Sequence, residues 1–349
     1  MTDPIRRLAT RVRSTRDLRW RRPPRLTLGP PTGPPTVYYL TPHFNAPRGG
    51  IRNLYRHVDL LNALGIPAAV LHAKAGFRCD WFRNQTRVVH PEQVRLSRED
   101  VLVLPEFHGP YLHLVPGELR SVVFNQGPYY TFDHVAYERT RRGAPYADMA
   151  NLAGLMVVSR DSLALLRYAY PALPVRLNRV VVDAEVFHPA KRPGGRRIAY
   201  LTHRRPQERA QLLHILRARG VLDGWELVPI EGRPEHEVAR LLRDSAIFLS
   251  FSQRDGFGLP PAEAMASGCY VVGYPGNGGT EFFDPTYCTP VPDSDLLAFA
   301  RAVEDAVRRY DEDPHGFAKL GRDASDRILG HYHTAGLSED LRRTYAGMF

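Results

Sequence analysis

The chain lacks any apolar run near the roughly eighteen residues that a membrane-crossing helix needs, and its amino terminus has no apolar core of a secretory signal. Both absences lead us to expect a cytoplasmic protein. Cysteine is scarce. Cys79, Cys269 and Cys288 have no zinc-ligand spacing and require no disulfide, so they read as small buried hydrophobes. No group of His, Cys, Asp and Glu has metal spacing, and no G-x-G-x-x-G marks a dinucleotide site. Neither a metal nor a cofactor is expected.

What is present is globular. At 349 residues with 43% hydrophobic side chains, the chain can bury two ordinary cores. Its net charge of +10 is uneven, with Arg6, Arg7, Arg11, Arg13, Arg16, Arg19, Arg21, Arg22 and Arg25 set against Asp3 and Asp17 ahead of a GPPTGPP run. Residues 1–36 are expected to form a basic, proline-rich, disordered arm. Such an arm can be drawn to anionic lipid at the inner face of the membrane, at roughly 1 kcal/mol per basic residue near the surface. Nucleic acid would attract the same charge but is not the expected partner, and a plain solvated tail is the alternative.

The stretch from Ile247 to Glu281 organises the second half. Ile247–Phe251 is an apolar run without alternation, as in a strand buried on both faces of a parallel sheet. Gly256 and Gly258 break it, Pro260 and Pro261 suit a helix start, and Gly268 stops that helix. Cys269–Tyr274 is the next strand, followed by Gly276, Gly278 and Gly279. Two glycine loops at neighbouring strand ends, each ahead of a helix, fit a nucleoside diphosphate outside the carboxyl ends of a doubly wound sheet. Glu263 is expected in the first helical turn, where the helix dipole favours a carboxylate; its oxygens can accept from the hydroxyls of a ribose.

The string Asp255-Gly256-Phe257-Gly258-Leu259-Pro260-Pro261-Ala262-Glu263, followed by Ala264-Met265-Ala266-Ser267-Gly268 and by Gly278-Gly279-Thr280-Glu281, resembles the family 4 retaining glycosyltransferases. In that family an acid and a Glu are separated by seven residues. Here the first acid is Asp255 where the family usually has Glu. The resemblance implies a GT-B fold, with two Rossmann-like parallel-sheet α/β domains facing a central cleft, and covers roughly residues 37–345. It nominates Asp255 and Glu263 as catalytic. Gly256, Phe257, Gly258, Leu259, Gly278, Gly279, Thr280 and Glu281 are nominated as donor-binding.

In the first half, Val37–Leu40, Ala68–His72, Val101–Pro105, Ser121–Asn125 and Gly154–Ser159 read as strands of a second parallel sheet. The loop ending in Gly49 and Gly50 precedes a helical pattern from Ile51 to Leu64. By the resemblance, Gly49 and Gly50 face the cleft beside the donor. On the acceptor side Arg52 is a candidate, together with His108, Asn125, Gln126 and Tyr129 at the carboxyl ends of two strands. Gln126 stands where many relatives place a His; an amide cannot shuttle a proton, which leaves His108 and His134 as alternatives for that work.

The phrase from Val182 to Pro189 resembles the family's end of the first domain. The expected division is therefore an acceptor domain over 37–188, a nucleotide-sugar donor domain over 189–332, and a helix over 333–349 crossing back to the first. In the donor domain, Arg204 and Arg205 follow the strand Arg197–Leu201. Their forked donors match phosphate oxygens, and the resemblance implies that basic residues here neutralise the departing diphosphate. The expected activity is metal-independent transfer of a hexosyl group from a nucleotide diphosphate sugar to a glycan or lipid-linked acceptor, in cell-envelope polysaccharide or glycolipid synthesis. Alternatives are a catalytically silent sugar-nucleotide sensor, or another GT-B activity such as an epimerase or phosphorylase.

Overall fold

A computed structural model of the chain describes residues 18, 20–45, 49–133, 137–191 and 194–348. His134 and the arginines from Arg6 to Arg19 lie outside these residues. The chain divides into two compact units, one made of Met1–Val157, Ser162–Leu177 and Leu341–Phe349, the other of Val158–Asp161 and Asn178–Asp340.

In the first unit the strands are β1 (Val37–Thr41), β2 (Ala68–His72), β3 (Val88–Val89), β4 (Val101–Pro105), β5 (Arg120–Asn125), β6 (Leu152–Val157) and β7 (Val175–Leu177). All neighbours pair in parallel, in the order β3-β2-β1-β4-β5-β6-β7. Every residue of β1, β2 and β4 is buried, which explains their unbroken apolar sequences: helices and loops cover both faces, so neither side of the pleat meets water. Helix α1 (Gly49–Ala63) buries Ile51, Leu54, Tyr55, Val58 and Leu61 along one stripe. Helix α2 (Arg160–Ala169) precedes β7.

The expected arm is not free over its whole length. From Trp20 onward it lies on the first unit. The Trp20 ring stacks on Phe44 at 5.1 Å, Arg21 is buried, and Leu26 and Leu28 pack against the core beside Leu96. Leu28 also forms a parallel bridge to Leu96. Apolar side chains interleaved with the arginines supply this docking, which a composition dominated by charge and proline conceals.

The second unit holds β8 (Gly195–Leu201), α3 (Pro206–Ala218), β9 (Glu226–Ile230), α4 (Glu235–Arg243), β10 (Ser245–Phe251), α5 (Leu259–Ala266), β11 (Tyr270–Tyr274), β12 (Thr289–Pro290), α6 (Leu296–Glu312) and α7 (Pro314–His331). Its parallel sheet runs β12-β11-β10-β8-β9. Strand order reverses between β8 and β10 here, and between β1 and β4 in the first unit. At such points two consecutive crossovers leave to opposite faces and open a crevice at the carboxyl ends of the strands. Helix α8 (Thr334–Tyr345) closes the described chain. No helix of the described residues is long and apolar enough to cross a membrane.

The division falls after Leu177, whereas the sequence placed it near residue 188. Residues 178–188 are tied into the second unit instead. The Val182 N–H donates to the Tyr332 carbonyl at 2.8 Å. Asp340, 5% exposed, accepts from the Arg179 backbone N–H at 3.1 Å, from Nε at 2.8 Å and from Nη2 at 3.0 Å. The forked geometry and the burial of the acid make this pair costly to break from one side, because the guanidinium loses its partner while its surroundings stay partly dry. Asp340→Ala is therefore expected to cost about 3 kcal/mol, read as a lowered midpoint in urea unfolding. A midpoint within error of the wild type would mean that the pair is dispensable.

Candidate active site

In the second unit the site is built from the loops that follow β8, β10 and β11. Strands β10 and β11 run side by side, Ser250 opposite Gly273 and Phe251 opposite Tyr274, so their loops leave the sheet together. Those loops touch through bare backbone. The Gly278 N–H donates to the Asp255 carbonyl at 3.0 Å, and a Cβ on Gly278 would lie 2.2 Å from the Gly256 carbonyl oxygen. Only glycine fits there. Gly258, at φ 97°, sits in the left-handed region and caps α5.

Helix α5 begins at Leu259, so Pro260 and Pro261 are its second and third residues and Glu263 its fifth. The expectation that Glu263 occupies the first turn is thus corrected. The left-handed Gly258 lets the helix start one residue before the proline pair. Glu263 is half-buried, and its carbonyl accepts from the Ser267 N–H at 3.0 Å and the Ser267 hydroxyl at 2.9 Å.

At the switch point itself, Arg204 after β8 meets Asp255 after β10. Arg204 Nη2 lies 2.7 Å from Asp255 Oδ1. Asp255 Oδ2 is buried and accepts no hydrogen bond among the described residues. Arg205 turns elsewhere. Its Nη1 donates to Glu208 Oε1 at 3.0 Å and to the Ser294 hydroxyl at 3.0 Å, its Nη2 pairs with Asp293, and its guanidinium lies 4.6 Å over the Tyr274 ring. The two adjacent arginines, expected to act together, therefore diverge. Sequence reasoning passed over Arg209, whose guanidinium reaches back from α3 to donate to the carbonyls of Thr202 and Arg204. Its placement five residues after Arg204, on the first turn of the following helix, was the available signal.

The other nominated residues of this unit divide. Phe257 is buried against Phe282 and Tyr332, with ring centroids at 5.1 and 4.8 Å, and Leu259 is half-buried. Thr280 is exposed and donates to the Asn277 carbonyl at 2.7 Å. Glu281 has both oxygens engaged. One accepts from the Arg160 N–H at 2.7 Å and the other from the Tyr332 hydroxyl at 2.8 Å, and burial raises its pKa. Gly278 and Gly279 belong to a short 3-10 turn, Gly278–Glu281, in place of the expected helix.

In the first unit the carboxyl ends of β1, β4 and β5 gather a polar cluster. Gln126 Nε2 donates to the Gly50 carbonyl and Gln126 Oε1 accepts from Asn53 Nδ2, both at 3.0 Å. The amide thus clasps the first turn of α1, which contains Gly49, Gly50 and the half-buried Arg52. Glu106, buried at the end of β4, accepts from the Gly127 N–H at 2.6 Å, and burial lifts its carboxyl to about 7. His108 is also buried. Its Nδ1 donates to the Arg21 carbonyl at 2.7 Å, and burial with the nearby Arg21 charge lowers its pKa to about 4. Asn125 is part of the core, its Oδ1 accepting from Thr131 and from Tyr146 at 3.0 and 2.7 Å. Tyr129 is half-buried in the 3-10 turn Pro128–Phe132. Among the described residues no three His, Cys, Asp or Glu side chains gather to hold a metal ion, and the three cysteines are buried and unpaired with one another.

Residues 197–342 match a family model described as Glycosyl transferase-like. The chain is also similar to an alpha-1,6-glucosyltransferase of Actinobacillus pleuropneumoniae, 25% identical over 264 residues that span 72% of this chain and 77% of the relative. Among solved structures, sucrose-phosphate synthase of Thermosynechococcus elongatus superposes with a TM-score of 0.66 at 14% identity, covering 90% of this chain and 99% of that one. Anabaena HepE in complex with UDP-glucose superposes with a TM-score of 0.61 at 12% identity, covering 89% and 99%. The fold is that of the GT-B glycosyltransferases.

The Glu106 carboxyl gives a pH test of the first-unit cluster. A carboxylic acid whose pKa is raised on folding favours the folded state while protonated. That advantage is lost as pH climbs from the unfolded value near 4.5 through about 7. Glu106→Gln keeps an acceptor for the Gly127 N–H but has no proton to lose. The wild-type melting temperature should therefore fall relative to that of the variant between about pH 5 and pH 7. Parallel curves would show that Glu106 stays ionised on folding.

Proposed function

We propose that the protein is a retaining glycosyltransferase that moves a sugar from a nucleoside diphosphate to the hydroxyl of a glycan or lipid-linked acceptor. The observation that carries this reading is the pair of glycine loops in backbone contact after β10 and β11, flanked by the Arg204–Asp255 pair at the β8/β10 switch point. Glycine backbone on braced loops and a guanidinium suit the charge that grows on a departing diphosphate. They act best when fixed in advance, since little reorganisation then accompanies bond breaking. Arg204, with Arg209 behind it, would neutralise that charge. Gly256, Gly258, Gly278 and Gly279 would let the phosphates approach the backbone, and Glu263 would accept from the ribose hydroxyls.

Asp255 would lie toward the transferred sugar. With Oδ1 turned to Arg204, its second oxygen is the one left to accept a sugar hydroxyl. Leaving-group stabilisation by these groups supplies what a metal would otherwise provide, and we infer metal-independent transfer. On the acceptor side we infer roles for Arg52 and Gln126. Similarity to a glucosyltransferase and to a UDP-glucose complex makes UDP-glucose the first donor to try, and envelope polysaccharide or glycolipid the first acceptor class.

The test joins binding to turnover. A thermal-shift panel of UDP, GDP, ADP and dTDP identifies the base, and mass spectrometry of reactions with the matching sugar nucleotides and a crude glycan or lipid extract identifies transfer. Binding without product across all donors would replace transfer with a silent sugar-nucleotide sensor. Glu263→Gln is expected to weaken binding of the selected diphosphate by about 1.5 to 3 kcal/mol, the worth of a charge-assisted hydrogen bond, and to abolish transfer. Wild-type affinity and rate in this variant would remove the ribose assignment.

A further inference from the structure

Two non-glycine residues of the described chain hold left-handed backbone, Arg205 at φ 36° and Ser294 at φ 62°, and they are hydrogen-bonded to each other. Side chains rarely tolerate this region, because Cβ crowds the neighbouring carbonyl. Such residues persist where their surroundings over-determine them. For Arg205 the surroundings are visible. Its side chain, 8% exposed, spans from the end of β8 to Tyr274 at the end of β11 and to Asp293 and Ser294 beyond β12. Glu208 on the first turn of α3 closes the clamp from below at 3.0 and 3.3 Å. Arg209 holds the same loop by the carbonyls of Thr202 and Arg204.

The consequence falls on the neighbouring residue. In extended backbone, successive side chains alternate in a set way; a left-handed residue changes where the chain leads and what its predecessor can reach. With Arg205 anchored on one side of the loop, Arg204 is delivered to the other, where its Nη2 meets Asp255 across the switch point. We propose that Arg205 is a positioning residue: clamped by Glu208, Asp293 and Ser294, it holds the loop after β8 in a strained form that presents Arg204 to the phosphates of the donor. This rests on the proposed contact between Arg204 and the diphosphate, and assigns to Arg205 no contact with the donor.

The clamp can be loosened without touching either arginine, by the double substitution Glu208→Gln, Asp293→Asn. Calorimetry would compare the best binder of the UDP, GDP, ADP and dTDP panel with its own bare nucleoside, in the wild type, the double variant, Arg204→Ala and the triple combination. The double variant should weaken the diphosphate about tenfold and leave the nucleoside unchanged. It should also add little to the loss in Arg204→Ala, because coupled residues lose a shared interaction only once. If the double variant does not fold, Asp293→Asn alone, at a side chain 66% exposed, should give the same pattern at smaller amplitude. An unchanged diphosphate affinity, an equal loss for the nucleoside, or losses that add in full would overturn the positioning role while leaving the Arg204 contact standing. Wild-type diphosphate affinity in Arg204→Ala would overturn that contact and the positioning role with it.

Discussion

The hydrogen bond from the Gly278 N–H to the Asp255 carbonyl, made with no side chain between the two loops, is the constraint on which the second unit's ligand side depends. Parallel pairing of β10 with β11 brings the loops to the same edge, but pairing alone would leave them separated by the width of a side chain. Because Gly278 lies against Gly256 without room for a methyl group, each loop fixes the height of the other. Asp255 then has its carbonyl held by one loop and its carboxylate turned to Arg204. Gly258 completes the loop in a backbone conformation that leads directly into α5 and so sets where Glu263 emerges.

The adjacent arginines show how local strain can serve the same side of the unit. Arg204 and Arg205 have the same chemistry and consecutive positions, yet one is partly exposed beside an acid at the switch point while the other is buried under two acids and an aromatic ring. The left-handed backbone at Arg205 is what separates them. A lysine pair would not substitute readily, because only the planar fork can serve Glu208, Asp293 and Ser294 together while stacking on Tyr274.

Much of this was legible in the residues. Ile247–Phe251 announced a strand buried on both faces and Val101–Pro105 a strand of the other sheet, and β10 and β4 contain them. The glycines at 256, 258 and 278 marked loops at neighbouring strand ends, because periodicity and composition are local signals, while the contact between those loops emerged only from the fold. The strands of two or three residues, β3, β7 and β12, were illegible: so short a segment carries no period, and only the neighbouring strand creates it. The docking of Trp20 was hidden by the arginines around it. The separation of Arg204 from Arg205 was hidden too, since it depends on Asp293 and Ser294, far away in sequence and adjacent only after folding.

The first unit's cluster bears on what kind of transfer these residues can support. Gln126 is committed on both sides of its amide, to Gly50 and to Asn53. His108 is buried, its Nδ1 proton given to a backbone carbonyl. Glu106 has a proton affinity near neutrality, but the Gly127 N–H holds one of its oxygens. Each of these groups fixes a loop at the β1/β4 switch point, and each is poorly placed to carry a proton away from an incoming hydroxyl. A mechanism that needed a strong base at this position would find Gln126 and Glu106 engaged, and the His108 Nε2, which makes no hydrogen bond among the described residues, buried and lowered in basicity. A mechanism driven by departure of the diphosphate makes a smaller demand: the leaving group can itself take up the proton as its negative charge grows, provided that cationic and N–H groups have stabilised that charge first. The transfer proposed above asks of the second unit what it holds: Arg204 at the β8/β10 switch point and glycine backbone after β10 and β11.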